Sequence, residues 1–170
     1  TPEIARAAGG LVGPEGRGYG AACAAGAAVA GAGCGVILFL DGDGADRADL
    51  AEMLVTPIRE GTHDFVIGSR ARGVREKRSM SWHQLAAGRL AGWLITALYG
   101  VRYTDMCAFR AIRRDALERL DLREMGYGWN IEMQMKAARS GLRILEVPVA
   151  YRRRAGGSSK VAGSLRGSVR

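Results

Sequence analysis

The chain has 170 residues, with 25 Lys and Arg against 17 Asp and Glu, a formal charge of +8 and a pI near 10.0. That length suits one domain of roughly 100–200 residues, not two, and a composition 48% hydrophobic and 25% charged excludes global disorder. Cys23, Cys34 and Cys107 are too few for a disulfide scaffold and fit a reducing compartment, while the positive charge leaves nucleic acid, an anionic lipid surface or a phosphorylated small molecule as partner.

The start, Thr1-Pro2-Glu3-Ile4, carries neither a Met nor a basic region followed by an apolar run, so the chain reads as a piece of a longer protein without a signal peptide. Glu3 to Ala8 reads as the end of a helix closed by Gly9-Gly10, and Leu11-Val12 as a short strand. Gly13 to Gly20 is a Gly-rich loop. Ala21 to Ala30 is an Ala-rich helix expected to lie flat on a sheet. Val36 to Leu40 is a continuous apolar run of strand length, a pattern that suits the middle of a parallel sheet. Asp49 to Arg59 follows as a helix, with Leu50, Met53, Leu54 and Ile58 at spacings of three and four. Asp64 to Gly68 is a second buried strand, so the three elements form a βαβ unit.

A basic loop, Arg70 to Arg78, precedes a helix from about Ser81 to Tyr99 whose apolar positions include Leu90, Trp93, Leu94 and Leu98. The longest apolar stretch, Leu85 to Val101, is interrupted by Arg89 and is not a membrane span. Cys107 to Ile112 is extended, and Arg113 to Leu120 and Asn130 to Ser140 are helices, the second stopped by Gly141. Leu142 to Tyr151 alternates as a late strand in which Pro148 argues for an edge or strand end. Residues 1–155 form one domain and residues 156–170 a basic Gly/Ser-rich segment.

Asp41 and Asp43 follow the first long strand, where α/β sheets place their ligands. Two carboxylates one residue apart can share a hard cation such as Mg²⁺ or Mn²⁺. The same pair can equally serve as turn residues and a helix cap. The loop Gly16 to Gly20 fails the G-x-G-x-x-G dinucleotide fingerprint, because Cys23 stands where the last Gly is needed; close helix packing is its expected role. Arg70, at the end of the second strand, can hold a phosphate in a bidentate contact or be a solvated surface residue. Trp93 and its Leu neighbours can touch lipid or face the core. Glu132 can act as a base in a cleft or in a capping or hydrogen-bonding role, while His63, His83 and the Cys residues stand in no ligand spacing.

Five segments taken in order resemble family 2 of the glycosyltransferases, nearest the dolichyl- or polyprenyl-phosphate mannose synthase type. They are VILFLDGDG (Val36 to Gly44), FVIGSR (Phe65 to Arg70), YTDMCAFRAIRR (Tyr103 to Arg114), YGWNIEMQMKAA (Tyr127 to Ala138) and VPVAYRRRAGGSSK (Val147 to Lys160). The resemblance implies an α/β fold of the A-type nucleotide-sugar transferases: a mostly parallel sheet flanked by helices, here without its first strands. It implies that Asp41 and Asp43 hold Mg²⁺ or Mn²⁺ and the nucleotide-sugar donor. It also implies that Arg70 and Arg154 bind the acceptor phosphate, with Arg75, Arg78, Ser79, Ser159 and Lys160 as further contacts. Ala45 stands where mannose synthases often carry a metal-binding Gln, so water or Asp46 must serve there. Cys107-Ala108-Phe109-Arg110 replaces the Ser-Gly-Phe-Arg of many relatives, near the sugar.

The expected reaction is inverting transfer of a hexose from GDP-mannose or UDP-glucose to a polyprenyl phosphate, at the cytoplasmic face of an anionic membrane. A phosphate acceptor is already ionised and needs no general base. A hydroxyl acceptor would need one, and Asp105 and Glu132 are the candidates. A basic nucleic-acid-binding module would use the same charge, but aromatic residues make up only 6% and form no stacking platform, so no nucleic acid is expected. A non-catalytic relative is the remaining class.

Overall fold

The computed structural model of the chain describes residues 7, 18–31, 33–74, 76 and 82–153. The Leu11-Val12 strand, Arg75, Arg78, Ser79, Arg154, Ser159, Lys160 and residues 156–170 lie outside the described residues.

The described elements are α1 (Tyr19–Val29), β1 (Val36–Phe39), a 3-10 turn (Ala48–Leu50), α2 (Ala51–Arg59), β2 (Phe65–Ser69), α3 (Trp82–Tyr99), β3 (Arg110–Arg113), α4 (Arg114–Leu120), α5 (Trp129–Arg139) and β4 (Ile144–Pro148). The sheet order is β1-β3-β2-β4. β3 is antiparallel to both β1 and β2, and β4 is parallel to β2. Three of the four strands therefore run one way, and β3 runs against them between β1 and β2. The two strands of the βαβ unit share a direction without being neighbours, so their carboxyl ends still open on the same side of the sheet.

Two expectations change. The apolar run at β1 forms an edge strand among the described residues, with Ile37 and Phe39 buried and Val36 and Leu38 half-buried. An apolar run reports burial, but it does not report which strand lies alongside. The Ala-rich helix α1 leans on α5 instead of lying flat on the sheet, and of its residues only Gly20 is buried. Its side chains are at most half-buried, with Tyr19, Cys23, Ala24 and Ala27 packed against the core, and backbone bonds fix its start to the loop before α5. The Gly20 and Ala21 N–H groups, which have no intrahelical acceptor, donate to the carbonyls of Gly126 (3.1 Å) and Met125 (3.0 Å). A Cβ on Gly20 would stand 2.5 Å from the Glu124 carbonyl oxygen, so the close packing expected of the Gly-rich loop occurs here.

The core joins Leu54 and Ile58 of α2 to Phe65, Val66 and Ile67 of β2 and Ala111 and Ile112 of β3. Trp129 of α5 meets Phe39 edge-on, with centroids 6.4 Å apart. Asp64 anchors the entry to β2. Its buried carboxylate accepts from Arg143 Nε (2.9 Å) and Nη2 (2.8 Å) and pairs with Arg113 at 2.8 Å. The Arg143 guanidinium holds the Asp64 carboxyl well below the usual carboxylate range, against the opposing effect of burial. A depressed folded pKa contributes stability above the unfolded value of about 3.9, and that stability is lost as pH falls through the folded value. Asp64→Asn should therefore cost about 2 kcal/mol at pH 7, short of a fully buried pair because both arginines are partly solvated. It should also flatten the loss of stability below about pH 4. Urea melts of both proteins at pH 3 and pH 7 check this; a constant gap between them at both pH values would remove the ion pair from the account.

Candidate functional site

The site starts where β1 ends. Asp43 Oδ1 accepts the Ala45 N–H at 2.9 Å, a local Asx turn that folds the chain back. Asp46 then turns inward, and its Oδ2 accepts the Asp41 N–H at 2.9 Å. Asp46 bridges to Tyr151, and Arg152 N–H donates to the Ala45 carbonyl at 3.0 Å. The Asp41–Asp46 turn is thus closed from one side by the segment that follows β4.

Asp46 is buried, and burial pushes its carboxyl up to about 6. The Asp41 N–H and the Arg70 charge pull the other way, while the charges of Asp41 and Asp43 push it further up. Asp41, Asp43 and Arg70 are therefore all within electrostatic reach of one buried carboxyl. This joins two motifs that stand far apart in the sequence, the Asp41–Asp43 pair and Arg70.

Arg70 follows the last residue of β2 and is fixed on both faces. Its Nε and Nη2 donate to Asp105 Oδ2 and Oδ1, each at 2.8 Å, and its backbone N–H donates to Oδ2 at 2.9 Å. Its guanidinium carbon stands 5.1 Å from the centroid of the Tyr151 ring. The pair is largely dry, with side-chain exposures of 15% for Arg70 and 5% for Asp105. The Val149–Tyr151 segment approaches the basic loop backbone to backbone: Val149 N–H donates to Ser69 O (3.2 Å), and Tyr151 N–H to Val74 O (3.0 Å). Gly73 permits this crossing, because a Cβ there would overlap the Val149 carbonyl.

Of the sequence candidates, the structure brings Asp41, Asp43, Arg70 and Asp105 to one end of the sheet. Glu132 sits in a different groove, of about 600 Å³, lined also by Tyr99, Ile131, Met135 and Arg139. Its carboxylate accepts the N–H groups of Arg123 (3.0 Å) and Glu124 (2.8 Å) and pairs with Lys136 at 2.8 Å. Burial opposes ionisation there, but Lys136 and the two N–H groups outweigh it and hold the carboxyl below its usual range. That is a hydrogen-bonding role that ties the 123–124 loop to α5 without capping the helix, and it leaves a weak base. Thr104, Glu146 and Tyr151 were not singled out in the sequence, since a Thr in a loop and a Glu or Tyr on an alternating strand give no signal of their own.

Among the described residues, no three His, Cys, Asp or Glu side chains form a group that could hold a metal. Asp41 and Asp43 offer two hard carboxylates on one turn. That donor set fits Mg²⁺ or Mn²⁺, which takes one or two carboxylates and completes its shell with substrate phosphates and water. Among the same residues, no helix is long and apolar enough to cross a membrane.

The turn bearing paired carboxylates and the strand-end arginine thus share one end of a mixed sheet flanked by helices. The chain belongs to glycosyl transferase family 2, which it matches over residues 8–121. It is 33% identical over 143 residues to an undecaprenyl-phosphate mannosyltransferase of Micrococcus luteus, covering 79% of this chain and 56% of that protein. It is 32% identical over 133 residues to a polyprenol monophosphomannose synthase of Mycolicibacterium smegmatis, covering 76% and 50%. The chain thus spans about half the length of these relatives. Its fold resembles that of glucosyl-3-phosphoglycerate synthase from Mycobacterium tuberculosis, with a TM-score of 0.66 over 92% of this chain and 57% of that one, at 22% identity.

Proposed function

We propose that the full protein is an inverting hexosyltransferase that moves a sugar from GDP-mannose or UDP-glucose to a polyprenyl phosphate. The observation that carries this reading is that Asp46 accepts the Asp41 N–H at 2.9 Å and bridges to Tyr151, whose ring lies 5.1 Å from the Arg70 guanidinium carbon, so the carboxylate turn and the strand-end arginine meet at one end of the sheet. It is supported by relatives named for mannosyl transfer to polyprenyl phosphates. Asp41 and Asp43 would hold Mg²⁺ or Mn²⁺, which when bound neutralises charge on the leaving diphosphate. Arg70, oriented by Asp105, faces the acceptor phosphate and lines it up for attack on the anomeric carbon. By the family resemblance, Arg154, Arg75, Arg78, Ser79, Ser159 and Lys160 are further candidates for binding the same phosphate. Positioning and charge neutralisation then supply most of the rate. A hydroxyl acceptor is the weaker reading. Asp105 is committed to a guanidinium and Glu132 to Lys136 and two N–H groups, so neither is poised to take a proton.

The test is incubation of the full-length protein with polyprenyl phosphate, Mg²⁺ or Mn²⁺, and labelled GDP-mannose or UDP-glucose. Metal-dependent label in the organic phase from one donor supports the reading and fixes the sugar. Label in neither would reject it.

The acceptor's lipid tail requires contact with a bilayer at its cytoplasmic face. In α3, Ile95 faces the core at 3% exposure, whereas Leu90 (59%), Trp93 (66%), Leu94 (46%) and Leu98 (66%) form an exposed stripe at helical spacing. The basic loop precedes this helix, and the helix itself has no acidic residue, a pairing suited to an anionic interface. Trp93→Ser with Leu98→Ser should weaken binding to phosphatidylglycerol vesicles about 10-fold, by loss of buried apolar area. Unchanged flotation with vesicles would move the contact elsewhere.

A further inference from the structure

Thr104 and Asp105 are held in place by a residue on the neighbouring strand. Glu146, in the middle of β4, accepts the Thr104 N–H with Oε1 at 2.8 Å and the Thr104 hydroxyl with Oε2 at 2.8 Å. The Asp105 N–H also points at Oε1, at 3.4 Å. Because the Thr104 hydroxyl hydrogen goes to Glu146, the 2.7 Å bond between Ser69 Oγ and Thr104 Oγ1 takes its hydrogen from Ser69. Ser69 Oγ in turn accepts the Arg72 N–H at 3.2 Å. A directed chain therefore runs from the strand end 69–72, through Thr104, to Glu146. Beside it, Asp105 grips the side chain and the backbone N–H of Arg70. β4 is parallel to β2 with Glu146 level with Ile67, so the sheet itself sets the distance between the anchor and Arg70.

We infer that Glu146 is a positioning residue: it fixes the 104–105 loop and, through Asp105, aims the Arg70 guanidinium. The inference rests on the reading that Arg70 serves the acceptor phosphate. Glu146→Gln keeps the shape and one acceptor oxygen, but turns an NH₂ toward the Thr104 hydroxyl, which must then release Ser69 or leave its own hydrogen unpaired. A loop displaced by a fraction of an ångström misaims Arg70 without removing its charge.

The experiment uses the full-length protein with polyprenyl phosphate and the donor it accepts, and compares Glu146→Gln, Arg70→Ala and the double variant. Glu146→Gln should raise the KM for polyprenyl phosphate about 10-fold, the scale of one charge-assisted hydrogen bond. It should leave the KM for the nucleotide sugar unchanged and the melting temperature near that of the parent. The double variant should be no worse than Arg70→Ala alone, since Glu146 acts through Arg70. If Arg70→Ala raises the acceptor KM but Glu146→Gln does not, or if the two effects simply add, the positioning role is overturned while the function stands. If both KM values rise together in Glu146→Gln, its role is general to the fold and the inference fails. If Arg70→Ala leaves the acceptor KM unchanged, the acceptor assignment of Arg70 falls, and the inference falls with it.

Discussion

Asp43→Asn should abolish sugar transfer while leaving the protein folded. The amide oxygen can still accept the Ala45 N–H, so the Asx turn survives. What is lost is one of the two carboxylate charges of the turn, which on the proposed function would face the donor diphosphate. Loss of a preorganised electrostatic contact of this kind costs about 100-fold to 1,000-fold in rate, and loss of a metal ligand more. Asp43→Ala should lose transfer equally and also loosen the turn, lowering the melting temperature by a few degrees, as for loss of a cap. The comparison separates charge from turn geometry. Organic-phase label at more than a tenth of the parent rate in Asp43→Asn would remove Asp43 from the metal-binding role.

Asp105→Ala should have the second large effect, on stability as well as transfer. It strips the bidentate partner from a guanidinium that is only 15% exposed. Breaking a buried pair on one side costs about 3–5 kcal/mol. The low end, about 3 kcal/mol, applies here because the Tyr151 ring still covers the cation. At this chain length that is a fall in melting temperature of about 8 °C. Arg70→Met combined with Asp105→Asn should recover part of it, since no charge is then left unpaired and the single amide oxygen of Asn can still accept one of the two backbone N–H groups, of residues 70 and 106, that now go to separate carboxylate oxygens. Transfer to polyprenyl phosphate should stay lost in the recovered protein. A double variant that is both stable and active would show that the pair serves the fold alone.

The order of strands and helices was legible because each announces itself locally. VILFL and FVI are apolar runs of strand length, Asp49 to Arg59 has helical spacing, and Gly141 stops α5. The position of the site was legible for the same reason: Asp41 and Arg70 end strands, and strand ends are marked by the change from apolar to polar residues. Pro148 likewise signalled the end of an edge strand. The sheet order was not legible. Nothing between Val36 and Ser69 says that a strand from residues 110–113 lies between β1 and β2, because pairing partners are chosen by packing across distances the local pattern does not encode. Nor did the sequence show which arginine is interior. Arg110 is fully buried, with its guanidinium donating to the carbonyls of Cys107 and Asn130, while Arg113, three residues on in the same strand, reaches out to Asp64 and Asp115.

The sequence by itself determined the residue types of the site and the strand ends that carry them, since charge and hydropathy are properties of each residue. Only the tertiary structure decided how they are used. It gave Arg70 to Asp105, Glu132 to Lys136 and Glu146 to the 104–105 loop, and it left the Leu90–Leu98 stripe of α3 exposed. A carboxylate near a guanidinium is a matter of distance between segments far apart in the chain, and that distance exists only once the sheet has formed.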